Sequence, residues 1–386
     1  MIMPAHLPAQ TFTVLHTFGN GTDGYEPLSG VTLDAFGNLY GTTTFGGGSG
    51  SGIAYKLTPH GSTWTYSVLH HFGGSEGALP IGKLLVGRDG SLYGTATYGG
   101  TGQGGTVFNL RPSPSRCGSV QCEWGATVLH NFYPSADGRG PEGLNFDLAG
   151  NILGAAPDGG PTGVGTVFKL TRSQNSWNFS LLTDFRGIPA GSVYGGVIAD
   201  AAGDVFGAGY NTYPGTVFEI TGSGQVQILH QFLGGDGLDP FYGLTMDAAG
   251  NVFGLTAFGG GRGEGGTVYE LSPSGGGWTF NLVYSFRGIV NNGVIGSASL
   301  SMDAAGNLYG TTFGNGAYDY GTVFKLTPSE NGWIYTDLHD FTGGADGCTP
   351  WSDVVIDSRG SLYGTASACG SAPYPPSAGT VWEIAP

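Results

Sequence analysis

The chain has few basic residues and no long apolar run, and these two shortages exclude classes of function. Its 386 residues include 13 Lys and Arg against 28 Asp and Glu, a formal net charge of −15. Nucleic acids and anionic membranes both select basic surfaces, so neither is an expected partner. No apolar run approaches the roughly 20 residues of a transmembrane helix. Residues 1–6 lack the basic start and apolar core of a signal peptide, so a secretion signal is not expected within this sequence.

Sustained helical periodicity is also missing, so the apolar residues indicate strands. The 76 glycines and 21 prolines would suggest disorder if they were scattered. Instead, residues 303–310 read Asp-Ala-Ala-Gly-Asn-Leu-Tyr-Gly, and this stretch is one of seven related copies along the chain. A repeat with a period near fifty residues indicates a repeat architecture. The copies end 53, 60, 53, 47, 56 and 54 residues apart, at Gly41, Gly94, Gly154, Gly207, Gly254, Gly310 and Gly364.

Each copy predicts four antiparallel strands. In the fifth copy these cover residues 243–247, 251–256, 266–271 and 278–286, with Ser272 and Pro273 ending the third strand. Asp247 opens a tight turn between the first two strands, and the following glycine suits a left-handed position. Radially repeated four-stranded sheets are typical of a β-propeller, so we expect an all-β, seven-bladed β-propeller.

The two ends of the chain are expected to meet in one sheet. The last copy ends at residues 379–384, a third strand with no fourth strand after it. Residues 11–18 match the fourth strand at residues 67–72, so the N-terminal strand would complete the C-terminal blade and remove two open sheet edges. We therefore expect a tail at residues 1–10 and a single propeller domain at residues 11–386.

The four cysteines favour two disulfides. Cys117 and Cys122 flank a short loop in the second blade, and Cys348 and Cys369 lie in two loops expected on one face of the seventh. Local pairing is geometrically natural, although four cysteines allow three connectivities. Disulfide bonds between such loops indicate an oxidising compartment. A zinc site would need closer spacing with histidine nearby, so no cofactor is predicted.

The repeat resembles a known family. Residues 307–312 read Asn-Leu-Tyr-Gly-Thr-Thr, residues 321–328 read Gly-Thr-Val-Phe-Lys-Leu-Thr-Pro, and a Leu-His-x-Phe strand recurs with them. Together these elements resemble the GloVer (Gloeo/Verruco) tandem repeat of secreted or surface-anchored bacterial proteins, over residues 11–386. The resemblance implies a propeller outside the cytoplasm. It supplies no catalytic residues.

Residues that recur once per blade are interpreted as structural. Five histidines occupy the Leu-His-x-Phe strand, where two further copies carry Asp184 and Ser285. The Asp of the repeated turn is likewise a turn residue. A second acidic series in the loops that enter each blade either caps turns, the preferred interpretation, or forms an acidic ring suited to structural Ca²⁺. The histidines are His16, His70, His130, His230 and His339, and the acidic series is Asp23, Glu76, Asp137, Asp236 and Asp346.

Residues that break the repeat are the candidates for function. The position four before the turn Asp, at the mouth of the first strand, reads Gly30, Lys83, Gly143, Gly196, Gly243, Ser299 and Asp353. Lys83 and Asp353 belong to blades on either side of blade 1 and could approach each other across Gly30. They predict either a structural ion pair or a polar site with perturbed pKa values. Further candidates on this face are Arg139, Glu142, Asp158, Tyr194, Tyr210, Tyr242, Arg262, Glu264, Tyr318, Asp319, Trp351 and Tyr374.

Aromatic residues mixed with carboxylates suit recognition of a glycan, and they also suit a protein-binding surface. The preferred hypothesis is a secreted, non-catalytic propeller that recognises an extracellular ligand. The first alternative is a carbohydrate-active enzyme. A lyase would use a base and a cation, for which Lys83, Tyr242, Arg139 and Arg262 are available. A glycoside hydrolase would use two carboxylates among Glu142, Glu264, Asp319 and Asp353. A structural assembly module of the cell surface is the second alternative.

Overall fold

The chain folds into seven four-stranded antiparallel sheets arranged as a seven-bladed β-propeller, as predicted. The computed structural model describes residues 10–19, 21–113, 123–174, 176–188, 190–210, 215–261, 265–287, 299–370 and 378–386. These residues include no helix. Consequently they offer no helical segment that could cross a membrane.

The first strand, β1 (Thr11–Thr17), precedes the first blade. Blade 1 consists of β2 (Thr32–Leu33), β3 (Leu39–Thr43), β4 (Ile53–His60) and β5 (Thr63–His71). Blade 2 consists of β6 (Leu85–Val86), β7 (Leu92–Ala96), β8 (Thr106–Pro112) and β9 (Trp124–Asn131). Blade 3 consists of β10 (Glu142–Phe146), β11 (Ile152–Ala156), β12 (Thr166–Ser173) and β13 (Ser176–Thr183).

The later blades repeat this order. Blade 4 consists of β14 (Val197–Ala199), β15 (Val205–Gly209), β16 (Thr216–Ile220) and β17 (Val226–Gln231). Blade 5 consists of β18 (Thr245–Met246), β19 (Val252–Thr256), β20 (Thr267–Ser274) and β21 (Gly277–Ser285). Blade 6 consists of β22 (Ser301–Met302), β23 (Leu308–Thr312), β24 (Thr322–Ser329) and β25 (Gly332–Asp340). Blade 7 consists of β26 (Val355–Ile356), β27 (Leu362–Ala366), β28 (Thr380–Ala385) and β1.

The predicted closure through blade 7 is confirmed. Strand β1 pairs antiparallel with β28, from Thr11 opposite Ala385 to Thr17 opposite Thr380. Between blades 7 and 1, the Thr365 hydroxyl donates to the carbonyl of Pro27 at 3.0 Å. The N-terminal strand therefore covers the sheet edge that the C-terminal strand would leave open.

Two strand boundaries differ from the sequence prediction. The first strand of blade 5 is only two residues long, because its earlier residues lie along the channel without a regular ladder. The third strand does not end at Pro273 but passes through it, with Pro273 opposite Trp278. Strand β19 ends its pairing with β20 at Leu271, so beyond that residue β20 has a neighbour on one side only. Proline is tolerated at such an edge because no second ladder needs its N–H.

In six copies, the last glycine is required by the aromatic ring opposite it. A Cβ on Gly41 would lie 2.4 Å from the Tyr55 hydroxyl oxygen, and one on Gly364 would lie 2.3 Å from the Trp382 ring. The third strand thus places an aromatic ring directly over the glycine of the second strand. Any larger residue would displace a fully buried ring.

Five blades pack on their neighbours through the same aromatic contact. The Trp near the start of the fourth strand contacts an aromatic ring on the second strand of the preceding blade, as in Trp64 with Tyr363, at 5.9 Å between ring centroids. The Phe that follows each fourth strand is buried to at least 98%. These seven phenylalanines are Phe18, Phe72, Phe132, Phe185, Phe232, Phe286 and Phe341.

Candidate functional site

A cavity of about 630 Å³ opens among the described residues of the channel, between the first strands of all seven blades. Hydroxyl groups join these strands across the seams. Thr245 donates to the carbonyl of Leu300, and Ser301 donates to that of Val354. The position four before the turn Asp, singled out in the sequence, lines this cavity in six blades. In blade 4 the cavity is lined by Gly195, the neighbour of the expected Gly196. We call this cavity the channel-mouth pocket.

Lys83 and Asp353 form an ion pair in the channel-mouth pocket. Lys83 Nζ lies 2.6 Å from Asp353 Oδ2, and the Asp353 side chain is 6% exposed against 31% for Lys83. The pair crosses Gly30 as the sequence suggested, since a Cβ on Gly30 would lie 2.0 Å from Asp353 Oδ1. That oxygen has no hydrogen-bond partner among the described residues. Glycine at position 30 therefore makes room for a buried carboxylate.

Glu142 enters the pocket from blade 3. Burial, together with the smaller effect of the negative charge of Asp158, raises the pKa of Glu142 to about 8. Glu142 is therefore protonated at neutral pH and can donate a hydrogen bond. Asp158 itself is paired, because its Oδ2 lies 3.6 Å from Arg139 Nε. The side chains of Arg139 and Asp158 are both solvent-accessible.

Aromatic residues stand around the pocket on the side of blades 4 to 7. Trp351, Phe241 and Tyr194 occupy the same repeat position, two residues before Asp353, Gly243 and Gly196 respectively. Trp351 packs edge-on against Phe313 at 4.9 Å, and Phe241 packs against Tyr210 at 4.6 Å. Trp351 is 42% exposed and Phe313 is 38% exposed. We call these five rings the aromatic rim.

The structure brings some of the predicted site residues together and separates others. Lys83, Glu142, Trp351 and Asp353 line the pocket, together with Tyr194. Arg139 and Asp158 lie at its edge, since both charges act on Tyr194. Tyr242 is 8% exposed and belongs to the hydrophobic core of blades 5 and 6.

The other candidates lie farther out or cannot be placed. Tyr318 and Asp319 occupy the loop between β23 and β24, where Tyr318 is 56% exposed. Arg262, Glu264 and Tyr374 lie outside the described residues. Phe241 and Phe313 are members of the rim that were not selected from the sequence. Their signal was available, because both occupy the positions that Trp351 and Tyr210 occupy in other blades.

The recurring histidines form an outer belt with the acidic residues of the entering loops. His130 Nε2 lies 2.8 Å from Asp137 Oδ2, and the other oxygen of Asp137 accepts the Tyr133 N–H at 2.6 Å. The ring of His130 also stacks on Phe179 of the next blade, at 3.7 Å. Similar pairs join His70 to Glu76, His230 to Asp236 and His339 to Asp346, while His16 lies 3.8 Å from Asp23.

These contacts agree with a structural and turn-capping role. One alignment was wrong by a residue. In the two blades without this histidine, its place in the fourth strand is taken by Thr183 and Tyr284, not by Asp184 and Ser285. Spacing within the sequence gives the same residues, because Thr183 and Tyr284 stand two residues before Phe185 and Phe286, as each histidine stands two residues before its phenylalanine. Within the described ranges, no three His, Cys, Asp or Glu residues are grouped as metal ligands.

The predicted disulfide between Cys348 and Cys369 is present, with Cα atoms 5.3 Å apart. It joins the loop entering blade 7 to the loop after β27, and Trp351 follows Cys348 by three residues. The disulfide therefore restrains the loop that carries the exposed indole. Cys117 and Cys122 lie outside the described residues.

Comparisons with known proteins agree with this architecture. The family model of the Gloeobacter/Verrucomicrobia repeat matches residues 2–207 and 240–386. The extracellular domain of a candidate one component system from B. thetaiotaomicron is similar in structure, with a TM-score of 0.54 and 13% identity, over 95% of this chain and 40% of that one. This chain thus spans less than half the length of that domain.

A second similar structure is a candidate 6-phosphogluconolactonase from Bacteroides uniformis. Its TM-score is 0.51 at 11% identity, over 81% of this chain and 84% of that one. At these identities the likeness concerns the fold alone. No functionally curated protein matches the sequence.

Proposed function

We propose that this chain, which belongs to the Gloeobacter/Verrucomicrobia repeat family, recognises a saccharide outside the cell through its channel-mouth pocket. The observation that carries the proposal is the aromatic rim above a pocket with paired charges. Aromatic faces bear partial negative charge and pack against the C–H faces of sugar rings. Carboxyl and ammonium groups supply acceptors and donors for hydroxyls. A volume of about 630 Å³ is also in the range of small-ligand sites.

An extracellular location has two supports. The Cys348–Cys369 disulfide is typical of oxidising compartments. One structural neighbour is itself an extracellular domain. We propose on these grounds that the protein binds its ligand at the cell surface or in the surrounding medium.

The test is a saccharide-binding screen followed by calorimetry with Trp351→Ala. The variant should weaken binding at least tenfold, because Trp351 is exposed and carries stacking area without supporting the core. Phe36→Ala is the matched control. Phe36 is 87% exposed in the turn between β2 and β3, at the opposite ends of the strands from the rim. Equal loss in both variants, or none in either, would contradict the proposal.

A second candidate function, glycoside hydrolysis, is favoured by one specific feature. Hydrolysis needs a protonated carboxylic acid beside an ionised carboxylate, and Glu142 with its raised pKa lies within the field of Asp158. Reducing-end and unsaturated-product assays on polysaccharides separate the two candidates. Loss of a measured activity in Glu142→Gln, with binding retained, would favour catalysis. Intact polysaccharides throughout would favour pure recognition.

The third candidate, a surface assembly module, makes a different prediction. Such a module would self-associate at micromolar concentration and would show no saccharide binding that depends on Trp351. Sedimentation with the wild-type chain measures this directly.

A further inference from the structure

Every cation described at the channel mouth already has an anionic partner. Lys83 contacts Asp353 at 2.6 Å, and Arg139 contacts Asp158 at 3.6 Å. Glu142, the other acidic residue among those that line the pocket, has its ionised form disfavoured by burial. The charges of the described lining residues therefore sum to zero, within a chain whose formal net charge is −15.

We propose that the ligand of the channel-mouth pocket is an uncharged saccharide, and that the Lys83–Asp353 pair is the element that rejects acidic ones. This inference rests on the proposed function, since it names the ligand class of the same pocket. The pair supplies hydrogen-bonding groups to hydroxyls while leaving no free positive charge for a carboxylate.

The geometry explains why a uronate would bind poorly. To reach Lys83 Nζ, its carboxylate would have to approach the Asp353 carboxylate, which is almost fully buried and cannot turn into solvent. Like charges brought together in a partly dry site repel strongly, and separating the pair would leave Asp353 buried without a partner. Rejection through an unfavourable charge contact is a common basis of specificity.

The net charge of the chain would add a long-range repulsion, but salt distinguishes it from the local effect. At 0.15 M ionic strength the Debye length is about 8 Å, so distant charges are largely screened. A contact within the pocket is screened much less. Discrimination against acidic saccharides should therefore persist at 0.5 M salt.

The experiment measures binding of three neutral tetrasaccharides and their acidic counterparts. The pairs are cello- with glucurono-, manno- with mannurono-, and galacto- with galacturono-tetrasaccharide. For the wild-type chain, we expect at least one neutral member to bind ten times or more tighter than its acidic counterpart. In Asp353→Asn, which leaves Lys83 unpaired, the difference should shrink at least tenfold.

Two controls isolate the pair. Glu330→Gln makes the same change in net charge at an exposed hairpin, and it should leave the preference unchanged. The double variant Lys83→Met with Asp353→Asn removes both charges, and it should restore the preference for neutral members. Circular dichroism and thermal unfolding of each variant verify the fold.

The outcomes separate the two proposals. If the wild-type chain binds an acidic member as tightly as its neutral counterpart, and Trp351→Ala abolishes this binding, the recognition function holds and the ligand class is wrong. Identical behaviour of Asp353→Asn and Glu330→Gln would also refute the role of the pair. If no member binds, or Trp351→Ala binds normally, the proposed function fails and the ligand class fails with it.

Discussion

The outer belt lies at the fourth, outer strands of the sheets, and the channel mouth lies at their first, inner strands. The two regions differ in how far their residues repeat from blade to blade. In the outer belt, a histidine and a carboxylate recur in five positions with similar contacts. At the channel mouth, one equivalent position holds glycine in four blades, but Lys83 in blade 2 and Asp353 in blade 7. A residue needed by every blade is repeated, whereas a single site on the axis needs its chemistry only once. The contrast supports a structural role for the belt and is the basis for proposing recognition at the mouth.

The largest expected effect is at the repeated outer position. Phe18→Ala should lower the free energy of unfolding by about 3–5 kcal/mol, the usual range for a buried Phe. Phe18 is fully buried, packs on Tyr55 at 5.3 Å, and closes the ring through the N-terminal strand. Urea unfolding measures the change, with Phe36→Ala as the exposed control. A loss below 1 kcal/mol would mean that the N-terminal strand contributes little to closure.

An intermediate effect is expected for a belt carboxylate. Asp137→Ala leaves His130 Nε2 and the Tyr133 N–H without their partner. Buried polar groups without partners cost about 1–3 kcal/mol each, so stability should fall by about 2–3 kcal/mol in urea unfolding.

Saccharide binding by folded Asp137→Ala should equal that of the wild-type chain, because the Asp137 side chain bonds to His130 and to the Tyr133 N–H and does not line the pocket. Weakened binding in the folded variant would contradict the separation of a stabilising belt from a ligand-binding mouth.

The smallest expected effect is a difference in pH dependence between the regions. Burial lowers the pKa of His16 from 6.5 to about 4, and it also lowers that of His130 and His339. Between pH 6.5 and 4 the unfolded chain therefore binds protons that these three histidines do not bind in the folded chain. Stability from the belt is complete above pH 6.5 and is lost as the pH falls toward 4.

Glu142 has the opposite sign. Its pKa rises from 4.5 to about 8 on folding, so its contribution is complete below pH 4.5 and is lost as the pH rises through 8. Glu142→Gln should remove this alkaline loss and leave the acid loss unchanged. Thermal unfolding at intervals from pH 4 to 9 measures both. Parallel profiles for the two proteins would show that Glu142 does not titrate as its burial implies.

The repeat made the blade number, the closing strand and the position of Lys83 and Asp353 predictable. All follow from spacing, because equivalent residues of a ring of blades lie at equal distances from the axis. Tyr242 was misleading, since its side chain turns into the core between blades 5 and 6 while its neighbour Phe241 joins the rim. One residue of difference reverses the direction of a side chain along an extended segment. The belt pairs, in which a fourth-strand histidine meets a carboxylate from the loop that follows it, were recognised only as separate series.

The sequence by itself determined seven sheets, their order and the meeting of the chain ends, because glycine turns and alternating apolar residues act over a few neighbours. The repeat placed Lys83 and Asp353 on either side of Gly30, but only the tertiary structure decided that their side chains are in contact and that Asp353 is the buried partner. The two residues are 270 positions apart, and their contact depends on the space that Gly30 leaves between them. Contact distance and burial are properties of assembled surfaces, so the spacing of the repeat does not determine them.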